Sequence, residues 1–280
     1  MQTPFPRTAQ EVLAHARSAA KKQERFVQGG FTFENFSHHI LDSLCRHTDA
    51  DSEASCSKCT FERELELPEL PEMVFPKNVL RITFPNGVSA IEFRALDALK
   101  MVCPNKLPDV QVGPSLVWQE ARKDRLQMIT ESHHPYDWTF TTHYNGTLID
   151  CHTEETDERI DMERLKQRDE IKFFAETTLF EDELADHGTA ELSAKLRVMD
   201  KNYFFLLLRF YMRVDGVLVR VCDTRIVGDS HKDYVIREWQ LREAKFSDLP
   251  FARHEDLNNV NLAWQHLPVV KSFNEKIVPN

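Results

Sequence analysis

Residues 204–225 read Phe204-Phe-Leu-Leu-Leu-Arg-Phe-Tyr-Met-Arg-Val-Asp-Gly-Val-Leu-Val-Arg-Val-Cys-Asp-Thr-Arg225 and form the centre of a longer spine from Ile171 to Arg225. Asp215-Gly216 lies between two runs of β-branched and aromatic residues. That pattern is a strong hairpin signal, because both residue types tolerate the positive φ of a type I′ turn. A two-residue loop at Asp215-Gly216 sets Val214 opposite Val217, Met212 opposite Val219, Phe210 opposite Val221 and Leu208 opposite Asp223. The alternate set pairs Arg213 with Leu218, Tyr211 with Arg220, Arg209 with Cys222 and Leu207 with Thr224. Side chains alternate along a strand, so these sets belong to opposite faces. One face is almost wholly apolar; the other mixes Tyr211 with Arg209, Arg213 and Arg220. Two readings of that basic face stand. It is a solvated outer face with arginine stems lying over Tyr211, or it receives an acidic peptide through bidentate guanidinium hydrogen bonds.

Working outward, Phe173–Phe180 and Leu192–Val198 read as further strands, separated by the acidic stretch 181–188. Tyr234–Leu241 is another strand and Asp256–His266 a helix, before a polar tail. Upstream, Val79–Phe84 and Val88–Phe93 flank Pro85-Asn86-Gly87 as a second hairpin. A third is expected where Pro135–Phe140 leads through Tyr144 and Asn145-Gly146 to Thr147–Ile149. Leu96–Met101 reads as a helical turn, Ser115–Glu120 as a strand, and Asp161–Ile171 as a solvated helix. Pro68–Pro76 is extended, because its prolines forbid a helix. Residues 1–30 read as a helical or flexible extension opened by a capping box at Thr8-x-x-Glu11 and ended by Gly29-Gly30. Residues 31–280 read as one domain interrupted by a mobile acidic loop at about 49–60. Three hairpins with few helices place the chain in the α+β class: a mainly antiparallel, sandwich-like sheet domain with flanking helices.

Composition narrows the function. The 280 residues carry a formal net charge of −10, with 41% apolar and 29% charged residues. Such a balance argues against nucleic acid or an anionic membrane as the main partner. No apolar run reaches the roughly 18 residues of a membrane span, and no signal-peptide core precedes Gly30. The six cysteines read as reduced thiols and the expected setting is the cytosol, with the nucleus also open. On that reading the sequons at Asn35 and Asn145 are chance matches.

Catalytic and nucleotide-binding signatures are absent by pattern, including Gly-rich phosphate loops, G-x-S-x-G and H-E-x-x-H. Asp182, Asp186 and His187 form the nearest cluster to a metal-dependent hydrolase site, against which stands an ordinary surface turn. Cys56-x-x-Cys59 is half of a zinc pattern. Cys45, His38, His39 and His47 lie upstream, but no second C-x-x-C follows, so the expectation is an exposed thiol pair without metal. Cys103, Cys151 and Cys222 show no activating neighbour, and Trp138 reads as a core anchor. The residues themselves therefore favour a binding protein without cofactor.

Several strings also match a known family: Leu70-Pro-Glu-Met73, Asn78-Val-Leu-Arg-Ile82, Pro135-Tyr-Asp-Trp-Thr139, Ile171-Lys-Phe-Phe174, Leu179–Leu184, Phe204–Phe210 and Asp223-Thr-Arg225. Together they span about residues 68–240 and resemble the TIPRL family, the TOR signalling pathway regulator-like proteins. The resemblance implies a non-enzymatic, monomeric regulator that binds catalytic subunits of type 2A protein phosphatases, types 4 and 6 included, and restrains or chaperones them in TOR signalling. It implies a compact sheet body whose shallow concave face receives the phosphatase and its C-terminal tail. Partner-binding positions of the family fall on Asp97, Ile160 and Asp223, while Val221 stands where a methionine is expected. By the register above, Asp223 points with the apolar set, away from Arg209, Arg213 and Arg220. A one-residue slip would reverse that.

Overall fold

The computed structural model describes residues 21–45, 56–65, 67–102, 108–113, 120–121, 132–250 and 254–280. Five strands, β1 (Lys22–Gln28), β2 (Phe31–Ser37), β4 (Val79–Thr83), β5 (Ala90–Phe93) and β8 (Thr147–Ile149), make the smaller sheet in that spatial order. The larger sheet runs β3 (Met73–Val74), β10 (Ile171–Asp182), β11 (Gly188–Met199), β12 (Tyr203–Val214), β13 (Leu218–Asp229), β14 (Val235–Lys245), β15 (Val269–Pro279) and β9 (Cys151–Glu155). All of these pairings are antiparallel. Two short strands, β6 (Val110–Val112) and β7 (Ser132–His134), pair separately. Four α-helices are described: α1 (Ser57–Glu64), α2 (Ala95–Leu99), α3 (Met162–Lys166) and α4 (Val260–His266). The α+β, sheet-dominated class expected from the sequence is the class observed.

The two large sheets close on one apolar core. From β12 come Phe204, Leu206, Leu208, Phe210 and Met212; from the smaller sheet come Phe33, Leu80, Ile82, Ile91 and Phe93. The rings of Phe31 and Phe33 meet Phe204 edge-on at 5.2 and 5.1 Å. Phe204 lies so close over its cross-strand partner Gly228 that a Cβ there would stand 2.2 Å from the ring, so the position admits only glycine. Polar ties join the layers as well. Asn78 Nδ2 donates to the Thr178 carbonyl at 2.8 Å, and Thr177 donates to the Asn35 side chain.

The central hairpin forms, but one residue out of the expected register. Val214 pairs with Leu218, and the loop holds Asp215, Gly216 and Val217. Gly216 has φ of 71° whereas Asp215 keeps a negative φ, so the type I′ turn, which needs both positive, does not form. Instead Val217 N–H donates to the Val214 carbonyl at 3.0 Å. The slip exchanges faces along the whole of β13. Arg209 now faces Asp223, Tyr211 faces Val221, Arg213 faces Val219 and Met212 faces Arg220.

Other expectations are corrected locally. Lys22–Gln28 is a strand that pairs with β2 through the Gly29-Gly30 turn, so the ordered sheet begins before residue 30. The expected acidic loop at about 49–60 gives way at residue 57 to a helix that runs to residue 64. The third hairpin is absent: Tyr136–Thr139 is a 3-10 helix, and β8 pairs with β5 rather than with the segment before it. The polar tail is the long strand β15. The expected helix from residue 8 falls outside the described residues up to 20. Residues 46–55, Cys103 and 115–119 are also outside them.

Candidate functional site

The outer face of the eight-stranded sheet gathers most of the residues singled out in the sequence. Asp223 is 1% exposed, and Arg209 grips it with two parallel bonds, Nε to Oδ1 at 2.6 Å and Nη2 to Oδ2 at 2.7 Å. Arg225 adds a longer contact to Oδ2 at 3.3 Å. The planar guanidinium fork matches the carboxylate, which makes this among the stronger classes of hydrogen bond. Asp223 therefore sits with the arginines, as the slipped register dictates.

That face is neither bare nor simply solvated, because two segments of the chain strap it. The first comprises a 3-10 turn at Asp256–Asn258 and α4, capped by the Asn259 side chain on Asn261 N–H and Leu262 N–H. Beneath it Tyr211, Val219, Val221, Ala244, Phe246, Leu257, Ala263 and Leu267 form a second, smaller apolar core. Tyr211 Oη donates to the Leu257 carbonyl, Arg213 to the Asn258 side chain, and Arg209 Nη1 to Asn261 Oδ1 at 2.9 Å. Trp264 lies between Arg225 and Arg242, whose guanidinium carbons stand 4.7 and 4.1 Å from its ring centre. Burial, with Arg225 close by, holds the Arg242 pKa below its ordinary value. Val221 is thus a packing residue under the strap.

The second strap is the segment 156–167. Ile160, 6% exposed, gives its N–H to Glu238 Oε1 at 2.9 Å, the same oxygen that Arg159 Nε reaches at 2.8 Å. Next to it Asp161 caps α3 by accepting from Glu163 N–H and Arg164 N–H, both at 3.0 Å. Arg164 anchors the helix on Asp229 at 2.6 Å and lies over the Tyr203 ring. Glu158 ties down the start, with Lys232, Tyr234 and Lys276 around it; the Lys232 hydrogen bond is the main cause of its lowered pKa.

Between the straps the described residues leave a strip uncovered. The register aligns Phe174, Arg197, Phe205 and Val227 in one cross-strand row, and Glu176, Lys195, Leu207, Arg225 and Glu238 in the next. Phe174 is 46% exposed, Lys195 and Arg197 are exposed, and Phe205, Leu207 and Val227 are half-buried. The third row holds Ser193, Arg209, Asp223 and Gln240. Aromatic rings beside guanidinium groups, on a rigid sheet, are the composition of protein-binding patches.

Two expected site residues lie elsewhere. Arg220 faces inward, 5% exposed, held by Thr141 Oγ1 at 2.9 Å and by Glu243, over the Tyr136 ring. It is removed from the basic face because the slipped register turns it round. Asp97 is on α2 at the end of the smaller sheet, bound to Arg94 and to the Thr147 hydroxyl. That network continues through Arg94 and Arg81 to the fully buried Glu92, whose pKa burial raises despite both arginines. Asp182, of the hydrolase alternative, spends its carboxylate on Glu72 N–H at 2.9 Å and Leu184 N–H at 2.6 Å. It closes a turn in which Leu184, Ala185 and Asp186 all take positive φ, and Asp186 and His187 do not converge with it as metal ligands.

The sequence reading missed Trp264, Arg242, Arg197 and Phe205. The last two were legible in principle, as polar and aromatic members of the outward period-2 set of β11 and β12. Nothing local marks Trp264 as the residue that two arginines would flank.

The fold and site define a class: an antiparallel sandwich with two helical straps across one outer face and an aromatic, basic strip between them. The chain belongs to the TIP41-like family, whose model matches residues 73–250. It is 56% identical over 271 residues to a TIP41-like protein of Caenorhabditis elegans, covering 97% of this chain and 96% of that one. To the human TIP41-like protein it is 44% identical over 225 residues, 77% and 79% of the two chains. A Saccharomyces cerevisiae relative, named type 2A phosphatase activator TIP41, is 37% identical over 233 residues, 72% of this chain and 63% of that one.

Proposed function

We propose that this chain is a non-catalytic regulator that binds catalytic subunits of type 2A protein phosphatases through the outer face of the eight-stranded sheet. The carrying observation is the strip of Phe174, Arg197, Phe205, Leu207 and Val227 beside the buried Arg209–Asp223 pair. It sets apolar Phe174, Phe205, Leu207 and Val227 beside Arg197 and Lys195 on long strands, with Glu176 and Glu238 at the ends of its second row. The budding-yeast relative and a Schizosaccharomyces pombe relative, 31% identical over 184 residues, are both named for type 2A phosphatases. Asp223 and Ile160 act in this reading by fixing the two straps that border the strip. Asp97 serves a second, separate contact at the end of the smaller sheet. Types 4 and 6 and a place in TOR signalling extend the same proposal, with restraint or chaperoning of the catalytic subunit as its direction.

The test is co-purification of the chain with type 2A, 4 and 6 catalytic subunits, followed by phosphatase assay of the complexes. A stoichiometric complex with lowered turnover is expected. Failure to recover any of the three overturns the reading, and a complex with raised turnover overturns its direction.

A further inference from the structure

Outside the strapped face, the folded chain brings Cys45 against the Cys56-x-x-Cys59 pair. Cys56 stands at the N-cap of α1 and Cys59 one turn on, so both sulfurs look out from the same side of the helix. Cys45 arrives from the segment after β2. Its sulfur is 3.4 Å from that of Cys59 and 3.7 Å from that of Cys56, and all three lie within 4.8 Å of one another. A disulfide would need about 2.05 Å, and none of the three is in one. Tetrahedral zinc with Zn–S bonds of about 2.3 Å sets its sulfurs about 3.8 Å apart, close to the 3.7 Å between Cys56 and Cys45 and a little wider than the 3.4 Å between Cys45 and Cys59. The Asp182 cluster shows no such convergence, and among the described residues this is the one group of three or more potential ligands within such reach.

We propose that Cys45, Cys56 and Cys59 supply three thiolates to a Zn2+ site that fastens α1 to the segment following β2. Loading replaces three thiol protons by one divalent cation, and the protons pass to solvent.

The helix also needs fastening. Eight residues are too few for a stable isolated helix, and α1 is held by the buried Thr60, Phe61 and Leu65 on one side and by Lys58 Nζ on the Ser43 carbonyl near the cysteines.

Co2+ reports the site directly, through intense visible d–d bands in tetrahedral thiolate geometry. Reduced, metal-stripped full chain titrated with Co2+ is expected to bind one ion per chain with such a spectrum and to lose it stoichiometrically to Zn2+. Cys45→Ser and Cys59→Ser are expected to weaken binding by about a hundredfold or more, with Cys151→Ser unchanged and all circular dichroism spectra alike. Absence of the tetrahedral bands in fully reduced protein overturns the proposal. So does a spectrum that survives Cys45→Ser, or isolation of a Cys45–Cys59 disulfide as the form that resists reductant. None of these outcomes depends on phosphatase binding.

Discussion

On the inner face of β12, Phe204, Leu206, Leu208, Phe210 and Met212 pack with the smaller sheet in one apolar core. On the outer face of the same strand, Arg209, Tyr211 and Arg213 meet the C-terminal strap through hydrogen bonds to Asn261, Leu257 and Asn258, while Arg209 and Arg213 also pair with Asp223 and Asp215. The inner face owes its stability mainly to area buried and packing density, and its few polar members, such as Arg220 and Thr177, are paired. The outer face is stabilised by directional bonds whose value depends on every partner being present. The inner face builds the fold, and in the proposed function the outer face positions a surface for the phosphatase.

Perturbing each face should therefore give different signatures. Phe210→Ala, in the inner core, is expected to cost about 3–5 kcal/mol and to abolish binding only because the chain unfolds, as denaturant titration would show. Asp223→Asn leaves Arg209 and Arg225 facing a neutral group in a nearly dry site. A loss of about 2–4 kcal/mol is expected, with faster amide exchange in α4 and in the residues around Trp264. Exchange unchanged there would mean that Asp223 does not hold the strap. Val221→Ala removes a fully buried side chain from the smaller core and should cost about 1–3 kcal/mol. Its effect on binding should be less than that of Asp223→Asn.

The smallest expected effect is a pH dependence at the inner face. His143, edge-on to Trp239 at 5.5 Å, has its pKa lowered from 6.5 by burial and by Lys271. With the folded pKa below the unfolded one, the unfolded chain takes up the proton first. Stability is then lost as pH falls below about 6.5 and levels off below the folded pKa. The melting temperature of wild type, compared with His143→Phe between pH 7.5 and 5, should show a wild-type decline that the variant lacks in part.

The same contrast explains what was legible in the sequence. Period-2 alternation marked β10 to β14 and the inner core, since apolar side chains report burial directly. The register was not legible, because it turned on whether Asp215 would adopt a positive φ. That one dihedral moved Arg220 inward and Asp223 outward. Long strand β15 was hidden by its mixed composition, Val269-Val-Lys-Ser-Phe-Asn-Glu-Lys-Ile-Val-Pro279, which suits a strand with one half-buried face. The straps were invisible for a tertiary reason: Tyr211 and the arginines looked solvent-facing until segments about 46 and 52 residues away in sequence closed over them. Cys45 likewise joins Cys56 and Cys59 only once α1 has docked.

The central claim is that the uncovered strip, and not the buried face, meets the phosphatase. The affinity of a type 2A catalytic subunit for the double variant Phe174→Ser, Arg197→Glu tests it most directly, alongside the melting temperature of the same protein. Both residues are exposed, Phe174 at 46%, so folding should be little affected. The account predicts a Kd raised by about tenfold or more, some 1.4 kcal/mol, at an unchanged melting temperature; a wild-type Kd in a folded variant would contradict it.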